Sequence, residues 1–367
     1  MIWSVSILGK KNVAIIFGGN SSEHEVSKVS ASSVIDNLSS DKYNLVLIGI
    51  TKSGNWFLYN GPKSDIANGS WENHSENKVA FICPDASVGG LVVLDNGKES
   101  IIKIDVIIPV LHGKNGEDGT IQGLLQLSGI PFVGCYTTAA SACMDKVITN
   151  IMLEYAKIPQ AKFTWFYSYD FIKSPEECLD KTENELTYPV FVKPANAGSS
   201  VGVSKATNRS ELKKAIEIAI KEDNKILIEQ GINGQEVECA VLGNDSPVAS
   251  VVGEIAPSNE FYDYEAKYLS GTSNLYIPAH ISDEAAERIR ELAIKAYRLM
   301  GCSGLSRVDF FVEKETGEVM LNELNTFPGF TSISMYPKLM NASGVCYSEL
   351  LDKLIDLAYE RAGRKND

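Results

Sequence analysis

Short apolar runs alternate with amphipathic stretches along the first third of this chain. Residues 13–17 are wholly apolar and end in Gly18 and Gly19, the pattern of a buried strand feeding a loop. Val26, Val29, Ser33 and Leu38 then recur at helical spacing, and residues 43–50 and 104–111 are further strand-like runs. This strand–helix–strand alternation predicts an open α/β domain over residues 1–135. Residues 60–100 are polar and rich in Gly and Asn, which predicts loops and short strands at the periphery.

The pattern changes after residue 136. Residues 188–194 and 201–205 read as strands joined by a turn at 195–200. Ser210 is placed to cap a helix with apolar face Leu212, Ala215, Ile216, Ala219 and Ile220, and 225–229 is another strand. Residues 237–242 are strand-like, and 258–274 form a long polar and aromatic loop. An amphipathic helix follows, with Ser282 as N-cap, Asp283 and Glu284 at its positive end, and Gly301 as its stop. Two β-rich runs then flank Glu315-Thr316-Gly317, a hairpin signature, and a closing helix starts at Ser348. Folding that hairpin symmetrically about Thr316 sets Asp309 opposite Glu323 and Arg307 opposite Asn325, all four on one face. Two carboxylates and an amide oxygen so placed are hard oxygen ligands suited to Mg²⁺. Cross-strand charge pairing is the alternative.

Composition narrows the partners. The chain has 367 residues, more than one ordinary core, with 44% hydrophobic and 22% charged positions, as in soluble globular proteins. A formal charge of −13 argues against a general nucleic-acid binder, yet leaves room for a small anion in a local basic pocket. Seven cysteines, an odd number with no CxxC, fit reduced thiols in a cytoplasmic protein rather than a disulfide framework or zinc site. No apolar run is long enough to span a bilayer. Residues 1–9 read as an extension ahead of the first strand, without a basic n-region, and carry no assigned role.

Several loops carry candidate chemistry. Residues 198–202 match G-x-S-x-G formally, but the chain continues as strand where a nucleophile elbow needs a helix. The same loop also reads as a flexible hairpin whose backbone N–H groups wrap phosphates, or as a plain Gly/Ser turn. No G-x-x-x-x-G-K-[ST] occurs. Lys146 and Lys193 bracket the loop, and with the Mg²⁺ set they point to ATP chemistry. Residues 112–120 (HGKNGEDGT) follow a strand, where open α/β sheets place ligands; an elaborate turn is the other reading. Glu23 and Glu25 either complete a helix cap with Ser21 or Ser22, or one of them pairs with the ammonium of an amino acid. Residues 261–268 (FYDYEAKY) read as a lid that excludes water, or as a loop pinned by its aromatics. Gly329, beyond the hairpin, is placed to offer a backbone N–H to an oxyanion.

In this order, EHEVS from Glu23, HGKNGEDGTIQG from His112, GSSVGVSK from Gly198, FYDYEAKY from Phe261 and NELNTFPGFTS from Asn322 resemble the D-alanine–D-alanine ligases of the ATP-grasp superfamily. The resemblance runs from about residue 12 to 360 and extends to the D-alanine–D-serine ligases of vancomycin resistance. It implies an N-terminal α/β domain (1–135), a central ATP-grasp subdomain (136–229) and a C-terminal catalytic subdomain (230–367), with ATP between the last two sheets. It implies that Glu23 binds the first D-alanine in a hydrogen-bonded set with Ser199 and Tyr268. Lys146, Lys193, Ser200 and the lid's Lys267 would hold ATP phosphates. Glu229, Gln230 and Ile232 would border the adenine, with Glu236 at the ribose. Asp309, Glu323 and Asn325 would bind two Mg²⁺, for which Mn²⁺ can substitute. Arg307 and the Gly329 amide would stabilise the tetrahedral intermediate. Ser334 and Met335 would contact the second amino acid, and His112 and Glu117 would support the substrate side.

The implied product is a peptidoglycan precursor dipeptide made by a cytoplasmic homodimer. Where the family reads S-H-S-L, this chain has Ser332-Ile333-Ser334-Met335, a change compatible with D-alanine or with relaxation toward D-serine. Tyr268 resembles the dipeptide-forming members and not the D-lactate users. A non-catalytic ATP-binding protein and a serine hydrolase are the readings from other classes.

Overall fold

The computed structural model of the chain describes residues 9–256 and 274–363, so the stretch containing Lys267 and Tyr268 lies outside the described residues. The first sheet uses β1 (Lys11–Gly18), β2 (Tyr43–Ile50), β3 (Trp56–Tyr59), β4 (Lys78–Ile82), β5 (Gly90–Asp95), β6 (Lys98–Lys103) and β7 (Val106–Pro109). Their order is β6-β5-β4-β3-β2-β1-β7. β2, β1 and β7 run parallel, and the helix His24–Asn37 links the first two. Every position of the 13–17 run is buried, which explains its unbroken apolarity. The chain leaves β1 for β2 on one side, while β7 pairs on the other. The crevice at the carboxyl ends of β1 and β7 is therefore a topological switch point. The polar stretch 60–100 supplies the outer antiparallel strands β4 and β5, and its Trp71 is fully buried against Phe17.

The second sheet holds β8 (Phe163–Tyr167), β9 (Val190–Pro194), β10 (Ser204–Ala206) and β11 (Lys225–Gln230) in the order β10-β9-β11-β8, all antiparallel. Two local expectations need correction. The helix Arg209–Ala219 is capped by Asn208, not Ser210: extended Asn208 accepts from the Glu211 N–H at 3.1 Å. The strand expected over 201–205 is reduced to β10, because positive φ at Ser199, Ser200 and Gly202 prolongs the loop.

The third sheet, β12 (Gly234–Gly243), β13 (Val248–Ala256), β14 (Asn274–Tyr276), β15 (Gly304–Glu313) and β16 (Val319–Asn325), is antiparallel in the order β14-β13-β12-β15-β16. Ser282 caps the helix Asp283–Leu299 by accepting from the Ala285 N–H, and Gly301 follows it at φ +69°. That helix buries Ile289, Leu292 and Ala296 against Val237, Val308 and Phe310. A separate core unites the N-terminal sheet with the third sheet through the helix Tyr347–Arg361: Val13 and Ile15 share it with Leu305, Leu351 and Leu354. All seven cysteines are free thiols. Among the described residues no helix is long and apolar enough to cross a membrane.

Candidate active site

The β15–β16 hairpin carries the acidic face. Arg307 pairs with Asn325 and Asp309 with Glu323, as symmetry about Thr316 predicts. The register then slips, with Phe310 opposite Leu321, so Asn322 is bulged out of the ladder into the cleft wall. Arg307 grips Asp309 with two bonds, Nε to Oδ1 and Nη2 to Oδ2, each 2.7 Å. Asn325 Nδ2 donates to the same Asp309 oxygen at 3.0 Å. From β12, Glu238 approaches Arg307 Nε at 3.1 Å. Burial pulls the Arg307 pKa down, but Asp309, Glu238 and Glu323 hold it well above the ordinary arginine range. The sequence reading missed Glu238, because only strand pairing sets it opposite Asp309.

At the switch point, Glu23 is buried and accepts a short hydrogen bond from Ser199 Oγ across the cleft. Its backbone N–H donates to Ser21 Oγ at 3.1 Å, and Ser21 donates to the His112 carbonyl. No side-chain hydrogen bond caps the helix His24–Asn37, so the Glu23 carboxylate faces the cleft instead of completing a cap. Glu25 faces away and pairs with Lys28 and Lys52. Two glycines make room for the Glu23 carboxylate. A Cβ on Gly113, at φ +67°, would sit 2.1 Å from Glu23 Oε2, and one on Gly198 2.7 Å from it. His112 is buried between the Phe327 carbonyl (3.2 Å) and Ser30 Oγ (3.0 Å). Burial lowers its pKa, so a neutral imidazole serves there as a linker. Glu117 accepts from the N–H of Gly113 at 2.8 Å and of Phe327 at 3.4 Å. Burial of its carboxyl, then the neighbouring Glu23 charge, pushes its pKa up to about 8.

The phosphate side is built on β9, β11 and the helix Lys146–Tyr155. Asp145 caps that helix through the N–H groups of Val147 and Ile148 and pairs with Lys225 at 2.5 Å. This cap fixes Lys146 at the first helical position, where its Nζ donates to the Ala197 carbonyl at 2.7 Å. Lys193 pairs with Glu229 at 2.5 Å, and Asn150 holds the other Glu229 oxygen at 2.7 Å. Although burial pulls the Lys193 pKa down, Glu229, helped by Glu323 and Glu236, keeps it above the usual lysine value. Asp145 and Asn150 escaped the sequence reading, since nothing in a helix pattern reveals a distant carboxylate or ammonium partner.

Two adjoining cavities connect these groups. One of about 450 Å³ is lined by Glu23, Glu117, Lys146, Ser199, Arg307 and Glu323, and also by Gly329, Ser334 and Met335. The other, about 970 Å³, is lined by Glu229, Gln230 and Ile232; Glu236, Lys193, Phe191 and Asn322 are among the residues that line both. Asp309 stands behind the wall, engaged by Arg307. Among the described residues no three His, Cys, Asp or Glu side chains come together as a metal site. The set Asp309, Glu323 and Asn325 offers two carboxylates and an amide, which fits Mg²⁺ in donor type when phosphates complete the shell.

Two antiparallel sheets meeting over a cleft with half-buried lysines and an acidic hairpin, next to an α/β switch point, define an ATP-grasp architecture. Residues 12–135 match the family model "D-ala D-ala ligase N-terminus", and residues 152–356 match "D-ala D-ala ligase C-terminus". A D-alanine–D-alanine ligase of Acetivibrio thermocellus is 53% identical over 96% of both chains, and that of Clostridium acetobutylicum is 52% identical over 96% of this chain and 99% of its own. Among solved structures, the VanG D-Ala:D-Ser ligase of Enterococcus faecalis superposes with TM-score 0.87 at 45% identity, over 95% of this chain and 100% of that one. The D-alanine–D-alanine ligase of Coxiella burnetii gives TM-score 0.84 at 32% identity, over 96% and 95%. The chain belongs to the D-alanine–D-alanine ligase family.

Proposed function

We propose that this enzyme joins two D-alanines into D-alanyl-D-alanine for peptidoglycan precursors, converting ATP to ADP and phosphate. The observation that carries this reading is the convergence of Glu23, Lys146, Arg307 and Glu323, from three different sheets or their flanking helices, on one cavity. Glu23 holds the ammonium of the first D-alanine, and Ser199 fixes the orientation of its carboxylate. The substrate carboxylate attacks the γ-phosphorus, the bond to ADP breaks, and an acyl phosphate forms. Lys146 and Lys193 balance the charge on the transferring group. Asp309, Glu323 and Asn325 would hold Mg²⁺, which neutralises phosphate charge. The second amino acid, seated by Ser334 and Met335, attacks the acyl carbon. Arg307 and the Gly329 N–H stabilise the oxyanion until phosphate leaves. Glu229, Gln230, Ile232 and Glu236 frame the nucleoside, and Ser200 reaches the phosphates. The catalytic subdomains divide at residues 135 and 229 on this reading.

A second reading, ligation of D-serine as the incoming amino acid, draws support from the likeness to the VanG ligase and from Met335 in the cavity wall. Purified protein with ATP, Mg²⁺ and D-alanine, with and without equimolar D-serine, separates the two. Phosphate release with a D-alanyl-D-alanine mass is expected. A dominant mixed dipeptide would select the second reading, and no phosphate release with any D-amino acid would refute both.

A further inference from the structure

We infer that His24 and Glu72 form a positioning pair that sets Glu23 from behind, tying the outer 64–73 segment to the substrate site. The inference rests on the ligase reading for the role of Glu23, and on geometry for the rest.

His24 follows Glu23 directly and is 1% exposed. Its Nδ1 lies 2.8 Å from the carbonyl of Gly19, at the head of the loop that carries Glu23. Its Nε2 lies 3.2 Å from Glu72 Oε1, a close contact without hydrogen-bond alignment. The ring thus lies between two oxygens, one on the β1 exit and one on the 3₁₀ turn Ser70–Asn73. The location of Glu72 is not incidental. Its neighbour Trp71 is fully buried, edge-on to Phe17 at 4.9 Å and to Tyr59 at 6.3 Å. Any Cβ on Gly49 would fall within 2.1 Å of the indole. Trp71 therefore nails the turn to the sheet beside β1, and Glu72 presses on His24. On the other side of the loop, Gly18 N–H donates to Ser27 Oγ at 2.8 Å, and a Cβ at Gly18 would meet the Ile50 carbonyl at 2.2 Å. With the loop held at both ends, Glu23 has little room to move relative to Ser199.

The test uses full-length enzyme. Glu72→Ala should raise KM for the D-alanine held by Glu23 about tenfold, the loss of one polar contact, while KM for ATP and kcat stay within about twofold. His24→Leu should do the same or more. His24→Asn, whose amide can still donate to the Gly19 carbonyl, should recover part of the loss. Hydrogen–deuterium exchange, which needs no turnover, should show faster exchange over 19–24 in Glu72→Ala with the remaining sheet unchanged. Unaltered exchange there would overturn the pairing itself. Loosened exchange with an unchanged D-alanine KM would overturn its link to the substrate site. An inactive wild-type enzyme would instead fault the ligase reading, and the exchange result would still decide the pairing.

Discussion

Arg307 is held by acids on two strands, and this decides which mutation reports on catalysis. Removing Asp309 takes away the group that accepts two of its hydrogen bonds, leaving a buried guanidinium facing Glu238. Breaking a buried ion pair from one side costs about 3–5 kcal/mol. Asp309→Ala should therefore lower the denaturation midpoint as well as activity. Glu323 lines the cavity itself, so Glu323→Ala should abolish phosphate release. A Glu323→Ala protein that unfolds would make that carboxylate structural. Glu117 gives a residue-scale test by pH. Its folded pKa is raised to about 8 from the ordinary glutamate value of 4.5. Its contribution to stability is thus full below the unfolded value and is lost as pH rises through the folded one. Glu117→Gln does not titrate, so wild type should lose stability relative to this variant between about pH 5 and pH 9 in urea melts. A constant difference across that range would show that the carboxyl is not held neutral.

Loops and hairpins place these residues, and their glycines are the sharpest handles. Gly113 combines a left-handed φ of +67° with a close approach to Glu23, 2.1 Å from an added Cβ. Gly113→Ala should therefore displace Glu23 and cut kcat/KM for D-alanine by at least about a hundredfold, on the scale of a 1 Å misplacement. Nucleotide binding, measured by equilibrium dialysis, should be retained, because the adenine cavity lies elsewhere. Wild-type kinetics would mean that Glu23 has space to spare. The same elements show what the sequence made legible. Period-two alternation about a Gly turn was enough to pair Asp309 with Glu323, and Ser282 before an acidic first turn was enough to start a helix. The bulge at Asn322 was invisible, since it arises where the ladder adjusts between its turn and its functional end. Asn208 outcompeted Ser210 because the cap must have extended backbone, and a sequence does not display dihedrals. Glu238, Asp145 and Asn150 act through partners far away in the chain, so local pattern could not single them out.

At the scale of the whole molecule, the site exists only while the N-terminal sheet stays in register with the third sheet, since one supplies Glu23 and the other Arg307. The helix Tyr347–Arg361 holds that seam. Its Leu351 and Leu354 enter the core shared with Val13 and Ile15, and its Asp352 binds Lys42 at 2.6 Å and the Tyr43 hydroxyl at 2.7 Å. At its end, Arg361 donates to the carbonyls of Gly134 and Phe132 and to Ser303 Oγ, so one guanidinium ties the segment after the helix Thr120–Ser128, which bridges to Ile107 of β7, to the start of β15. It also lies over the Tyr136 ring, 4.0 Å from its centroid. ATP, by contrast, is assigned to Lys146, Ser200, groups on β9 and β11, and Glu236 near the start of β12, away from the β12 residues Ala240 and Leu242 that enter this core. Loosening the seam should therefore injure amino-acid binding before nucleotide binding. Arg361→Ala should lower unfolding free energy by about 2–3 kcal/mol, from several lost hydrogen bonds to a charged donor. It should raise KM for D-alanine more than KM for ATP. Arg361→Lys should rescue little, because a single ammonium cannot reach three acceptors and stack on a ring together. Equal rises in both KM values, or full rescue by lysine, would mean that Arg361 acts as a general surface charge and that the register between Glu23 and Arg307 is kept by the hydrophobic core alone.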